Sequence, residues 1–331
     1  MRKLSYISSM DSEQSSWQIL KEWEDILSKC LDLPIKKENK IGRPLKWWLD
    51  KHNFSKSVNS LKIKSDLALR FIMNASVKHS YFVDKNTIAV IIDFWLEEDD
   101  LPDFYDAYKD VPLILLTNME VYNYLKSHNC PIPIEHWALS YPDKYKLSNS
   151  NFKKKEYEFC VIGRPNPFFI RLLDEYSTKH PDFEYIINNG KIDDRKYVTN
   201  HGRFVAKDTG RASYLDMIAK TKISCYTTPG LDEGKKISNS YNQVTPRLFE
   251  MLCNGCQVIG HYPKAADTEW YNLSSIIPNV SNYEEFEVVM NRFRKEPFDF
   301  KKVEQFMNQH YTSKRAESLL AILRKYNIQS S

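Results

Sequence analysis

From about residue 157 onward the chain alternates short apolar runs with amphipathic stretches of helical length, and this rhythm restricts its fold more than any other feature. Phe159 to Ile162, Tyr185 to Ile187, Ile223 to Tyr226, Gln257 to Ile259 and the pair Ile276 and Ile277 predict strands, while Tyr214 to Lys220 and Pro246 to Asn254 predict helices between them. Such alternation buries both faces of a parallel sheet, so it predicts an open, doubly wound α/β layer. In that architecture ligands bind beyond the carboxyl ends of the strands.

The first half has a weaker version of the same pattern. Its first sixty residues read mostly as helix, with Trp17, Leu20, Trp23, Ile26 and Leu27 at three- and four-residue spacing. Strands are then predicted at Thr87 to Asp93 and Val111 to Leu116, with an acidic helix from Glu97 to Tyr108 between them. A chain of 331 residues exceeds what one core usually supports, which is about 250. The polar stretch from Tyr141 to Lys155 is the natural linker, giving domains 1–150 and 151–331. A closing helix, Lys314 to Tyr326, carries Ala316, Leu319, Leu320, Ile322 and Leu323, enough to dock on one lobe or bridge both. The polar segment 227–243, with Gly230 and Gly234, is long for a compact domain and is expected to be a functional loop.

Composition narrows the function. A hydrophobic fraction of 42% and an aromatic fraction of 13% demand a packed core. The net charge of +4 comes from interleaved acids and bases, which disfavours a nucleic-acid partner. Lys153 to Lys155 and Lys235 with Lys236 are either solvated loop lysines or a peripheral contact with an anionic inner-membrane surface. The start has no apolar run of secretory type, and no apolar run approaches the roughly 20 residues of a membrane span, so the expected location is cytoplasmic. Six scattered cysteines are expected to be reduced, and Cys253-x-x-Cys256, lacking a second pair, is expected to pack rather than bind metal.

The most informative run is Gln243 to Gly260. Thr245 can cap a helix that Pro246 opens, and Gly255 can end it in the left-handed region. Arg247, Glu250 and Asn254 then share a polar face. The helix-end amides and the Arg247 guanidinium suit a phosphate, and Glu250 suits ribose hydroxyls. A surface ion pair between Arg247 and Glu250 fits the same spacing.

This Arg-x-x-Glu helix, followed by a small residue, Gly and an apolar strand, resembles the donor-site stretch of GT-B glycosyltransferases. The resemblance covers roughly residues 155–280, with Gly163-Arg164 similar to the loop after the first strand of the donor domain and Gly210-Arg211 to Lys220 similar to the helix before the motif. Thr-Pro-Arg-x-Phe-Glu, then Gly-Cys and a Tyr-Pro loop, is closest to bacterial surface-polysaccharide (capsule or O-antigen) enzymes of the glycosyl transferases group 1 type. The resemblance implies two Rossmann-like lobes with a cleft between them and a C-terminal helix. Residues 1–150 would form the acceptor-side domain and 151–331 the nucleotide-sugar donor domain.

The implied donor-binding residues are Arg164, Arg211, Thr227, Thr245, Pro246, Arg247 and Glu250, although Arg164, Arg211 and Thr227 also read as ordinary surface or loop residues. Many retaining members carry a Glu eight positions before the helix Glu; Asn242 stands there, which leaves inverting and retaining chemistry open. Asp93, at a strand end, is the first candidate base for an acceptor hydroxyl, or else a loop cap. His136 is the second candidate, or else a packed residue beside Trp137. No Asp-x-Asp occurs, so transfer of a hexosyl or deoxyhexosyl group without metal is expected. No cofactor is expected either, since the nucleotide-sugar is a substrate. The expected partners are that donor and a glycan or lipid-linked acceptor. Competing readings are a noncatalytic nucleotide- or glycan-binding protein of the same fold and a sugar-nucleotide epimerase.

Overall fold

The computed structural model describes residues 2–9, 18–37, 48, 66–75, 83–148, 152–163, 165–189, 196–231 and 240–330. The chain divides into two compact units: Met1–Asp143 with Ile237–Tyr241 and His310–Ser331, and Lys144–Lys236 with Asn242–Gln309.

The first unit opens with β1 (Arg2–Ser9), α1 (Gln18–Leu31), β2 (Ile35–Lys37), β3 (Leu67–Asn74) and β4 (Thr87–Asp93). It continues with α2 (Leu101–Tyr108), β5 (Leu113–Leu116), α3 (Met119–Ser127) and β6 (Ile134–His136). Strands β1, β3, β4, β5 and β6 lie side by side in that order, all parallel. The run Thr87 to Ile92 is buried on both faces, as a central parallel strand must be. Ile88, Val90 and Ile92 pack with Trp23 and Leu27 of α1, whereas Ala89 and Ile91 pack with Phe104 of α2 and Val121 and Leu125 of α3.

The second unit contains β7 (Tyr157–Cys160), α4 (Pro167–Lys179), β8 (Tyr185–Asn189), β9 (Lys196–Thr199) and β10 (Phe204–Lys207). There follow α5 (Arg211–Lys220), β11 (Thr221–Thr227), α6 (Pro246–Cys253), β12 (Gln257–His261), α7 (Ala266–Trp270), α8 (Tyr283–Lys295) and α9 (Phe300–Met307). The sheet order is β10-β9-β8-β7-β11-β12. Its core is a cluster around Phe159, Phe169, Tyr176, Phe183 and Phe286.

The chain then returns to the first unit through α10 (Thr312–Lys325) and β13 (Ile328–Ser330), which pairs in parallel with β1. The closing helix therefore does not belong with residues 151–309, as a boundary at residue 150 would require. The reason is its apolar face: Ala316, Leu319 and Leu323 enter the same core as Leu4, Ile7 and Leu20. Arg315 is buried there and its Nε donates to the Ala138 carbonyl at 2.9 Å, while Trp137 Nε1 donates to the Arg315 carbonyl at 2.9 Å.

Other expectations change locally. The opening residues form β1 before α1 begins, with Leu4 and Ile7 both entering the core across a register shift between Leu4 and Tyr6; Trp17 lies outside the described residues. Ile276 and Ile277 are not a strand. They follow a 3-10 turn, Leu273–Ser275, and only an isolated bridge, Gly260 to Asn279, continues the sheet there. The antiparallel strands β9 and β10, which extend the sheet beyond β8, are not among the predicted elements; each has four residues, and Phe204 and Lys207 of β10 are exposed. All six thiols are free, and Cys253 and Cys256 are buried, with Cys256 Sγ donating to the Ile218 and Thr221 carbonyls. Among the described residues no cluster could hold a metal ion, and no helix is long and apolar enough to cross a membrane.

Candidate functional site

In the second unit β7 has its successor β8 on one side and β11 on the other. The strand order reverses there, and loops leaving the carboxyl ends of β7 and β11 diverge to opposite faces, opening a crevice. Gly163 follows β7 with φ +82°, and a methyl added to it would lie 2.7 Å from Cζ of Arg247. Only glycine leaves room for the guanidinium to rest on that backbone. Among the described residues the Arg247 side chain has no carboxylate or other hydrogen-bond acceptor as partner, and it is only partly buried.

The start of α6 is fixed from three sides. Val244 donates its N–H to Asp267 Oδ2 at 2.6 Å, Thr245 donates its N–H to the Tyr226 hydroxyl at 2.9 Å, and Leu248 N–H bonds the Thr245 carbonyl. Thr245 occupies the cap position in extended conformation, but its side chain makes no capping bond, contrary to the expectation. With Pro246 lacking an N–H, the Arg247 amide is left without an acceptor among the described residues, beside its own guanidinium. Thr227 ends β11 and pairs in register with His261, the last residue of β12. His261 stacks on Phe168 at 3.7 Å and its Nδ1 contacts the Val280 carbonyl at 2.8 Å. Neither His261 nor Tyr226 was singled out in the sequence; each sits at or beside a strand's carboxyl end, the one signal available. Asn166 caps α4, accepting from Phe168 N–H, and its amide donates to the Leu231 carbonyl. Arg164 lies outside the described residues.

Glu250 is placed differently from the open acceptor anticipated. Its side chain is 6% exposed, Arg211 Nη1 meets Oε1 at 2.7 Å, and the Tyr214 hydroxyl donates to Oε2 at 2.9 Å. Glu250 thus pairs with Arg211 rather than with Arg247, and Arg211 serves the carboxylate rather than standing free for a diphosphate. The cause is burial: α5 packs against α6, and a carboxylate taken out of water needs a charged or hydrogen-bonding partner. Two of its roughly four lone-pair positions remain. Burial, with the Glu250 charge as second cause, pushes the Tyr214 phenol well above its ordinary pKa, so it stays a donor. Asn242, where a second Glu would stand, accepts from Thr228 Oγ1 at 2.7 Å.

The first unit presents its own polar edge. Registers Asn74 to Asp93, Ile91 to Leu116 and Leu116 to His136 put Asn74, Asp93 and His136 on one face at the carboxyl ends of β3, β4 and β6. Burial alone pushes the Asp93 carboxyl up to about 6, and among the described residues no donor or cation partners its side chain. Burial, then the Arg315 charge, lowers His136 to about 4, while a hydrogen bond to the Thr117 backbone opposes the shift. His136 is therefore neutral near pH 7, with Nε2 buried. Of the two candidate bases, Asp93 has the better-matched affinity for a proton.

No protein-family model matches the sequence, and no curated protein sequence matches it. Solved structures do. An α,α-trehalose-phosphate synthase (UDP-forming) from Burkholderia vietnamiensis superposes with a TM-score of 0.54 at 7% identity, covering 95% of this chain and 87% of that one. The fold is GT-B. An α,α-trehalose 6-phosphate synthase from Burkholderia multivorans gives 0.51 at 7% identity, over 96% and 82% of the two chains. The accessory secretory protein 1,2 and 3 structure from Streptococcus pneumoniae gives 0.51 at 9%, and there the match spans 83% of this chain but 56% of the other. Identities this low carry the architecture alone.

Proposed function

We propose that this chain is a glycosyltransferase that draws a hexosyl or deoxyhexosyl group from a nucleoside-diphosphate donor bound to the second unit. The observation that carries this reading is Arg247. A guanidinium without an acceptor among the described residues rests on a glycine backbone at a helix start, at the point where the strand order reverses. Such a place favours a multiply charged anion, and the helix dipole adds to the attraction. Glu250, held still by Arg211 and Tyr214, presents its remaining lone pairs one turn further along α6, within the range of ribose hydroxyls.

On the first unit Asp93 is the proposed base. The acceptor oxygen forms a bond to the sugar's anomeric carbon as the bond from that carbon to the diphosphate oxygen breaks; the hydroxyl proton passes to Asp93, and the nucleoside diphosphate leaves with the electron pair. Arg247 and the α6 amide stabilise the charge that develops on the leaving oxygen. This description corresponds to an inverting transfer without metal, into a bacterial surface polysaccharide, by an enzyme working in the cytoplasm or at the inner face of the membrane.

The test is a thermal-shift screen against UDP, GDP, CDP and dTDP, with UDP first because the Burkholderia vietnamiensis relative in fold is UDP-forming by name. A ligand at a hundred times its dissociation constant stabilises the folded state by about 2.7 kcal/mol. One diphosphate should raise the midpoint, and Arg247→Ala should abolish the effect. If none does, the noncatalytic reading takes precedence.

A further inference from the structure

Immediately before α6 the chain runs from Asn242 to Thr245 without regular secondary structure, yet its last two amides are tied down. Val244 N–H donates to Asp267 Oδ2 at 2.6 Å, and Thr245 N–H donates to the Tyr226 hydroxyl at 2.9 Å. Asp267 comes from the first turn of α7 and Tyr226 from β11, so two separate elements hold two successive residues. Val244 and Asp267 are wholly buried and Tyr226 is 1% exposed. Neither Asp267 nor Tyr226 is open to a ligand, so whatever they do for one passes through the backbone they hold.

The hold matters because α6 lacks the usual side-chain cap, the Thr245 hydroxyl making no capping bond. Pro246 follows with its φ set by the ring, and Arg247 is only two residues beyond Thr245, so its amide and side chain inherit the placement of that residue. The tolerance is small. One methyl on Gly163 would come within 2.7 Å of the Arg247 Cζ, so the guanidinium has a single narrow seat. The hold and the seat are also neighbours electrostatically: burial pushes the Tyr226 phenol up to about 12, while the Thr245 donors and then the Arg247 charge act against that rise.

We infer that Asp267 and Tyr226 are positioning residues that hold the Arg247 amide and guanidinium in binding geometry before a ligand arrives, setting the affinity for a nucleoside diphosphate without touching it. This rests on the donor reading proposed above. An apparent dissociation constant rises in inverse proportion to the fraction of molecules already in the competent arrangement. A helix start that is in place one-tenth of the time therefore binds about tenfold more weakly.

Calorimetric titration of the full chain with UDP, GDP, CDP and dTDP, paired with hydrogen exchange of the peptide spanning Thr245 to Met251, tests this. Tyr226→Phe keeps the ring and removes the hydroxyl. Its matched control is Tyr176→Phe, which removes a hydroxyl that donates to Asn291 Oδ1 at 2.7 Å in the same unit. Tyr176 packs with Ile223 and Cys225 on the opposite face of β11 from Tyr226. Tyr226→Phe should bind the diphosphate about tenfold more weakly and exchange faster in the α6 peptide, where the Leu248 amide bonds the Thr245 carbonyl. Tyr176→Phe should lower the melting temperature while leaving affinity and that exchange unchanged. Asp267→Leu should weaken binding as Tyr226→Phe does, and Asp267→Asn, whose side-chain oxygen still accepts from Val244, should restore it to within about threefold of the parent. If Asp267→Leu does not fold, Tyr226→Phe decides alone. The inference is overturned if Tyr226→Phe binds like the parent, if its α6 peptide exchanges no faster, or if Tyr176→Phe weakens binding equally. A parent that binds none of the four diphosphates retires the donor reading and this inference together, whereas binding that survives Tyr226→Phe retires the inference alone.

Discussion

Replacing Asp93 by asparagine should make the protein more stable while removing its activity. In the folded state burial moves this carboxyl from 3.8 to about 6. A shift of roughly two pKa units corresponds to about 3 kcal/mol of penalty on the charged form. The folded pKa is raised, so the proton contributes stability that is complete below about pH 4 and is lost as pH rises through 6. Above that the ionised carboxylate burdens the fold by the full amount, and the amide of the Asp93→Asn variant, which cannot ionise, avoids it. Urea unfolding at pH 8 and at pH 4 measures the difference, and tryptophan emission reports chiefly the first unit, which holds every Trp except Trp270. The expected result is a gain for Asp93→Asn of up to about 3 kcal/mol at pH 8 that disappears by pH 4, with an unchanged denaturant slope. Glu24, whose buried carboxyl is pushed up to about 7, titrates in both proteins and cancels. A variant no more stable than the parent at pH 8 would mean that a donor holds the carboxylate, and the argument for an idle, poised base would collapse.

Other outcomes follow from the second unit and from pH. Arg247→Ala should eliminate nucleotide stabilisation yet leave the free protein within about 0.5 kcal/mol of the parent, since no partner among the described residues loses a hydrogen bond. Arg211→Ala should cost about 3 kcal/mol or more in chemical denaturation, because it strands the buried Glu250 carboxylate. Gly163→Ala should mimic Arg247→Ala in the nucleotide screen, since its methyl would take the guanidinium's place. If Asp93 is the base, kcat should rise about tenfold per pH unit up to about 6 and then level off, and His136→Asn should leave that limb in place.

Much of the architecture was legible because parallel strands buried on both faces must be largely apolar, as Ile88 to Ile92 is throughout and as Ile223 to Tyr226 is apart from Ser224, whose hydroxyl bonds the Cys160 carbonyl. The α6 frame was legible for a local reason: Pro246 and Gly255 punctuate a helix by backbone geometry alone. What escaped depended on tertiary context. The four-residue β10 is too short for its apolar Phe204, Val205 and Ala206 to show a period, and α10 could be recognised as amphipathic without showing which core would receive it. The i, i+3 spacing of Arg247 and Glu250 suggested a shared face, but α5 brought Arg211 to the carboxylate, a contact made 39 positions away in the chain. Gly163 mattered through the side chain lying on it, and Asn74 through its register with Asp93; neither relation is visible along one dimension.

The return of α10 and β13 to the first unit makes the second an insertion within it. The Trp137 indole bonds a carbonyl 178 positions further on, and β1 waits for β13 along part of its edge. On a ribosome the second unit can complete its sheet while the first still lacks a helix and a strand, with Leu4, Ile7, Leu20 and Trp23 short of the helix that covers them. The unit that is begun first is thus the one whose core is completed last, after the whole of the second unit has been made.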